Sequence, residues 1–392
     1  MDDLNSKLFK AIEEGNETTA RLLLEAGTNI DGYDDNIPLI IAADKGHERI
    51  VKLLLEAGAD PNTVDEDDMT PLFIAAYNGH EACMKLLLEA GADIDGYDKY
   101  LNIPLMGAAH AGHERIVKLL LEAGADPNTE TEDEDGWTPL INAADKGHER
   151  IIKLLLDSGA DINKTNNIGE TPLFYVTCNG TERIMKLLIE KGADINKTNN
   201  IGDTPLFLVT RYGIEQKVKF LIEKGADINK ANPNYITPLM VAAQNLYPSC
   251  DRIVKLLLEA GADPNKADDR FGDLPLLIAV SSSYVKCVEL LIDAGADINK
   301  ASKNGCTPLI IAAEKDHVEI VKLLLDATYN DIADKVLVAV SQQDIIFDTA
   351  FIIFKKTVEL QLETITIKGF NIDDPDTHNK LYNIFHAKFS EM

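Results

Sequence analysis

The sequence predicts an all-α repeat solenoid, and three observations carry that expectation. Residues 46–63 and 112–129 are identical, both reading GHERIVKLLLEAGADPNT. A Pro-Leu pair recurs at Pro38, Pro71, Pro104, Pro139, Pro172, Pro205, Pro238, Pro275 and Pro308, with spacings of 33, 33, 35, 33, 33, 33, 37 and 33 residues. A glycine closes the first eight units, at 58, 91, 124, 159, 192 and 225 and then at 261 and 295. A module this short cannot bury its own apolar stripe, so it must stack on copies of itself.

Each unit reads as two helices. The first opens at Pro, with Thr before it in six of nine cases, a side-chain cap followed by a residue already fixed in helical φ. Ile37, Ile103 and Leu274 replace that Thr and predict weaker caps. Ala pairs at 42–43, 75–76, 108–109, 143–144, 242–243 and 312–313 are small enough for layers to approach closely. The second helix carries the stripe: Ile116, Leu119, Leu120 and Ala123 fall at i, i+3, i+4 and i+7. Gly124 then supplies a left-handed residue past the helix end, and Asp126, Pro127 and Asn128 form a turn. Between the helices stands Gly-His at 46–47, 79–80, 112–113 and 147–148. His47, His80, His113, His148 and His317 share one place and are expected to make turn hydrogen bonds. From about 175 to 285 this turn departs from pattern, and drift in a tolerant turn is the favoured reading over a specialised contact region.

The repeat resembles the ankyrin repeat, on its 33-residue period, its Thr-Pro-Leu openings and its Gly-Ala-Asp closings. That resemblance implies β-hairpin fingers between helix pairs, and ligands lying along the fingertips and the concave face of the first helices. The family usually has His after Thr-Pro-Leu. Here Ile40, Phe73, Met106, Ile141, Phe174, Phe207, Met240, Leu277 and Ile310 hold that place, trading a polar link for apolar packing. The expected organisation is an amino-terminal capping repeat over 1–31, nine repeats over 32–327, and a mostly helical cap or tail over 328–392. In the tail, 330–342 reads as helix, 358–362 as strand or helix, and Asp374-Pro375 starts a last amphipathic helix.

Composition narrows function. The 38 Lys and Arg stand against 65 Asp and Glu, a formal charge of −27, so counterion release cannot drive the chain onto nucleic acid or an anionic membrane. Five scattered cysteines without a CxxC pair argue against a disulfide framework or zinc site. No apolar run approaches a membrane span, and MDDLNSKLFK lacks the layout of a signal peptide. The expectation is a cytoplasmic monomer without cofactor or metal, in the host cytosol if it is a secreted effector.

No catalytic constellation emerges. Gly159-x4-Lys164-Thr165 and Gly192-x4-Lys197-Thr198 lack the glycine before lysine that a phosphate loop needs. The acidic run from Glu130 to Asp135 fails calcium-loop spacing. His110 and Cys178 stand where the expected groove lies, and no carboxylate or amide is placed in sequence to complete a nucleophilic pair.

The expected function is therefore a non-enzymatic protein-interaction scaffold, strongest around Tyr77–Lys146. The alternative is a host-directed effector or adaptor whose tail recruits a second protein or carries an activity. Candidate contact residues are Tyr77, Asn78, His110, Asp145, Lys146, Arg211 and Tyr212 on first helices, with Tyr100 and Trp137 on fingertips. Asp65, Glu66, Asp67 and Asp68, and then Glu132, Asp133, Glu134 and Asp135, make two acidic fingertips. Later fingertips carry lysines, so one edge runs from strongly negative to nearly neutral and would orient a basic partner.

Overall fold

A computed structural model describes the chain except for residues 1, 33–36, 101, 132–134, 245–246, 269 and 341–350 and most of 351–392, where 351, 354–355, 357–358, 379–380, 382–384 and 386 are described. The expected final helix at 374–389 and the 358–362 segment therefore lie largely outside the described residues. The chain forms two compact units, Met1–Leu208 and Val209–Met392.

The first unit opens with α1 (Asp2–Glu13) and α2 (Glu17–Glu25). Helix pairs follow: α3 (Pro38–Asp44) with α4 (Glu48–Glu56), α5 (Pro71–Asn78) with α6 (Glu81–Glu89), and α7 (Pro104–Ala111) with α8 (Glu114–Glu122). Next come α9 (Pro139–Lys146) with α10 (Glu149–Asp157), and α11 (Pro172–Asn179) with α12 (Glu182–Glu190). The unit division falls within α13 (Pro205–Arg211). The second unit holds α14 (Glu215–Glu223), α15 (Pro238–Gln244) with α16 (Cys250–Glu259), α17 (Pro275–Ser281) with α18 (Val285–Asp293), and α19 (Pro308–Glu314) with α20 (Val318–Val340). Within each unit, first helices pack on first helices and second on second: α3, α5, α7, α9 and α11 in one, α15, α17 and α19 in the other.

Every first helix after α1 starts at its proline, as the sequence requires. Thr70, Thr138, Thr204, Thr237 and Thr307 accept from the backbone N–H three residues on, at 3.1–3.3 Å. Such a cap contributes about 1 kcal/mol. Ile37, Ile103 and Leu274 give no such bond. Thr171 also fails, its buried hydroxyl finding no partner. The Ala pairs are fully buried where layers meet, except that Ala313 is only partly buried.

Three ladders tie neighbouring repeats together. His80 Nε2 meets the carbonyl of Asp44 at 2.8 Å, His113 that of Tyr77 at 2.9 Å and His148 that of His110 at 3.0 Å, each reaching one repeat back. The rings sit over Gly46, Gly79 and Gly112, all left-handed, where a Cβ would come within 2.5–2.7 Å of the imidazole. A second ladder is made by the Asn of Gly-Ala-Asp-x-Asn turns, several of which grip the next repeat. Asn128 donates to the Gly159 carbonyl and accepts from Asp161 N–H, and Asn265 does likewise with Gly295 and Asp297. A third ladder joins second helices by Arg-to-Glu pairs, among them Arg150–Glu114 at 3.3 Å and Arg183–Glu149 at 2.7 Å.

The irregular stretch keeps these joints with other chemistry. The Tyr247 ring covers left-handed Gly213 in place of an imidazole, while Ser249 Oγ donates to the Gly213 carbonyl. Ser283, itself at φ 63°, pairs its hydroxyl with His317 Nδ1 at 3.2 Å.

Among the described residues no segment is a β-strand. The fingers are instead loops closed by an Asp or Asn at their base. Asp65 Oδ1 accepts from Asp67 and Met69 N–H, and Asp98 Oδ1 from Tyr100 and Asn102 N–H. One backbone bond, such as Asp65 N–H to the Met69 carbonyl, completes each closure, which is too few to register as a ladder.

The boundary expected at 327/328 falls inside α20. Thr328, Tyr329, Ile332 and Ala333 stay buried and continue the helix past the repeat's end. Phe351, Phe354 and Val358 are buried too, Phe351 meets Tyr382 edge-on at 5.3 Å, and Lys380 pairs with Asp326 of α20.

Candidate partner-binding cavity

Three consecutive first helices, α5, α7 and α9, frame a cavity of about 520 Å³. Its lining takes Phe73 and Tyr77 from α5, Met106, Gly107 and His110 from α7, and Asn142, Asp145 and Lys146 from α9. The adjoining fingers add Met69, Asp98, Tyr100, Asn102, Thr131, Asp135 and Trp137. That volume lies within the roughly 300–1,000 Å³ common for ligand sites.

Gly107 is the unusual residue of the lining. The residue three after each key proline is Ile41, Ile74, Asn142, Tyr175, Leu208, Val241, Ile278 or Ile311 in the other repeats, and glycine only here. A Cβ at this position would lie 3.2 Å from Phe73 Cε2 and 3.6 Å from Tyr77 Cβ, so a larger side chain here would crowd the rings that wall the cavity. Glycine inside a helix costs about 1 kcal/mol relative to alanine, and forgoes burial worth roughly 1.5–3 kcal/mol for an Ile-sized side chain. A locally unfavourable choice of this kind marks a functional place.

The walls are aromatic. Phe73 and Tyr77 stack with ring centroids 6.2 Å apart, and Tyr77 and His110 stack at 6.3 Å. Trp137 is held at both ends. Its backbone pairs with Thr131, through Thr131 N–H to the Trp137 carbonyl and Trp137 N–H to Thr131 Oγ1, and its ring leans on Tyr175 at 4.9 Å. Tyr175 is itself fixed, accepting from Asn166 Nδ2 at 2.9 Å. Burial raises its phenol well above the ordinary range, and the nearby charges of Glu170, Asp145 and Asp135 push the same way.

The polar groups are arranged around these rings. Asp145 accepts from Asn179 Nδ2 at 3.0 Å and pairs with Lys146 at 2.9 Å. Asn142 is buried, with its Nδ2 donating to the Thr138 carbonyl and its Oδ1 3.4 Å from His110 Nδ1. His110 therefore does have an amide neighbour, one repeat away, which sequence proximity could not show. Asp98 is buried and closes its own finger. The cavity holds three carboxylates and one ammonium.

The structure brings Tyr77, Tyr100, His110, Asp135, Trp137, Asp145 and Lys146 to this one cavity. Tyr77 and Tyr100 are exposed and Trp137 is half-buried. Asn78 is exposed and donates to Asp44 instead of lining the cavity. Arg211 and Tyr212, both exposed, are not among its lining residues and belong to the second unit. Of the first acidic finger, Asp65 spends its Oδ1 on loop closure, Asp67 pairs with Lys99, and Glu66 and Asp68 are exposed. Glu132, Asp133 and Glu134 lie outside the described residues. Gly107 and Tyr175 were missed by the sequence reading. The signal was present as the two departures at the third position after proline, one too small and one large enough to brace Trp137.

The lysine of the first apparent phosphate loop is engaged elsewhere, as Lys164 reaches the Asn128 carbonyl at 2.7 Å and Glu130 at 2.7 Å. Among the described residues no group of three or more His, Cys, Asp or Glu could hold a metal ion, and no helix is long and apolar enough to cross a membrane. No curated protein matches the chain. The family model described as ankyrin repeats (3 copies) matches in overlapping windows, from 3–65 through 72–166 to 239–335. Together they run from residue 3 to residue 335, over repeats whose helix starts, glycine stops and histidine latches coincide, and the chain belongs to the ankyrin repeat family.

Proposed function

We propose that this protein is a non-enzymatic scaffold that binds a protein partner on the face of α5, α7 and α9. One observation carries the reading: exposed and half-buried aromatics from three successive repeats converge on one cavity of about 520 Å³, lined by a glycine where the other repeats carry a side chain. Ankyrin repeats generally mediate protein–protein interaction, and interfaces concentrate their binding energy in Trp, Tyr and Arg anchors set in pockets. The chain's charge of −27 and the cavity's carboxylates favour a partner with a basic surface and disfavour nucleic acid. The protein is taken to act as a cytoplasmic monomer that needs no cofactor.

The tail is better explained as a cap than as an effector arm, since Phe351, Phe354 and Val358 are buried and Lys380 pairs with α20. Cutting after Val340 tests this. A cap predicts lowered stability with partner binding retained, whereas an effector arm predicts unchanged stability.

The scaffold reading is tested by affinity capture from eukaryotic cytosol with the native chain and a Tyr77→Ala/Trp137→Ala variant of matched helicity. A partner lost with the variant supports the proposed face. Retention of every partner refutes it.

A further inference from the structure

We infer that the cavity at Gly107 receives an arginine side chain from an extended segment of the protein partner. This rests on the binding face proposed above and names what its deepest point recognises.

The aromatic faces come first. Tyr77, Tyr100 and Trp137 line the cavity together with Gly107, which adds no side chain to it. Aromatic faces attract cations, and Trp does so most strongly. Charge then decides sign. Asp98, Asp135 and Asp145 line the space against Lys146 alone, and Lys146 is already paired with Asp145. An anionic occupant would be repelled. A neutral apolar occupant would desolvate these carboxylates without compensating their charge, which is costly.

Donor count separates arginine from lysine. Asp135, Asp145 and Asn142 bring side-chain oxygens to the cavity, and each such oxygen can accept more than one hydrogen bond. A guanidinium carries five donors in a planar fork and stacks on aromatic rings while bonding in its plane; an ammonium is a compact point charge that does neither. The site is built, since Asn142 and Asp98 are buried and hydrogen-bonded in place. The cavity's volume exceeds one side chain, so the residues flanking the arginine also enter.

The test is selection of a randomised, tryptophan-free 12-residue displayed-peptide library on the native full-length chain, counter-selected on Gly107→Ile. That variant introduces the side chain found most often at this position, in Ile41, Ile74, Ile278 and Ile311. Peptides enriched on the native chain are expected to share one arginine. Trp137, the only tryptophan, reports binding directly. A selected peptide should shift its emission saturably, and replacing its arginine by the neutral isostere citrulline should weaken binding about tenfold or more. Asp145→Asn guards against misfolding of the first variant, because it removes charge and keeps shape; it should weaken the arginine peptide severalfold and the citrulline peptide hardly at all.

Enriched peptides without a shared cation, or equal binding of arginine and citrulline forms, would overturn the inference and leave the binding face standing. No difference in enrichment between native chain and variant would overturn both. Self-association of the native chain that Gly107→Ile abolishes would assign the cavity to a second copy of this chain and overturn the arginine assignment.

Discussion

His113 donates from Nε2 to the backbone carbonyl of Tyr77, 2.9 Å away, across one full repeat. A carbonyl only accepts, so the proton sits on Nε2. His148 makes the same bond to the carbonyl of His110 at 3.0 Å. Both acceptors belong to residues whose side chains line the cavity. The bonds that stack the repeats therefore also fix the carboxyl ends of α5 and α7, where two of the cavity's rings are mounted.

Removing one latch tests that link. His113→Ala leaves the Tyr77 carbonyl without its donor and empties the space over Gly79. Stability is expected to fall by about 1–2 kcal/mol in urea unfolding, with amide protection lost first around α5 and α7. Protection lost evenly along the chain would mean that the latch has no local role.

The Asn ladder has a fault at Asp95. The turn closing the repeat at Gly91 reads Gly-Ala-Asp-Ile-Asp, so a carboxylate stands where Asn62 and Asn128 grip the next repeat. It has no N–H to give. Burial raises the Asp95 carboxyl above its usual value, and the charges of Asp93 and Asp126 add to the effect. A carboxyl raised in the folded state binds its proton more tightly there than when unfolded. It therefore destabilises the fold once ionised, and the penalty disappears below the unfolded value near ~4. Asp95→Asn is expected to gain about 1 kcal/mol near pH 7, with the gain shrinking as pH falls toward 4. A gain independent of pH would contradict this.

Gly107 separates stability from binding. Gly107→Ala should raise stability by roughly 0.5–1 kcal/mol through helix propensity, because the Phe73 edge it approaches at 3.2 Å has the open cavity to move into. Binding at the cavity should weaken at the same time. Thermal unfolding and peptide titration on one preparation give both readings.

Thiol chemistry maps burial. Burial pushes the Cys83 thiol up to about 11 and, with Cys250 beside it, Cys287 up to about 12. Both should resist iodoacetamide at pH 8, while Cys178 and Cys306, partly exposed, are alkylated. Mass spectrometry of tryptic peptides reads the order of reaction.

Much of the fold was legible because proline and glycine act locally. Pro fixes φ and opens each first helix; Gly supplies the left-handed residue after each second helix, at φ 102° for Gly124. The histidines were legible as a class, but their partners lie a repeat away and only stacking reveals them. The fingers were misjudged in detail because an Asp in a loop reads as surface charge whether or not its oxygen closes the loop, as Asp65 and Asp98 do. The cavity residues Tyr77, His110 and Trp137 were legible from repeat position. What draws them into one site was not, because a search for chemistry looks for side chains that are present, and the decisive feature at Gly107 is one that is missing.

The most direct measurement is acrylamide quenching of Trp137 emission in the native chain, free and saturated with a bound, tryptophan-free partner segment. Binding at the cavity predicts that the quenching constant falls at least about twofold on saturation, and that the Gly107→Ile variant shows no such protection at the same concentration. Unchanged quenching at full saturation would place the partner elsewhere and contradict the proposed face.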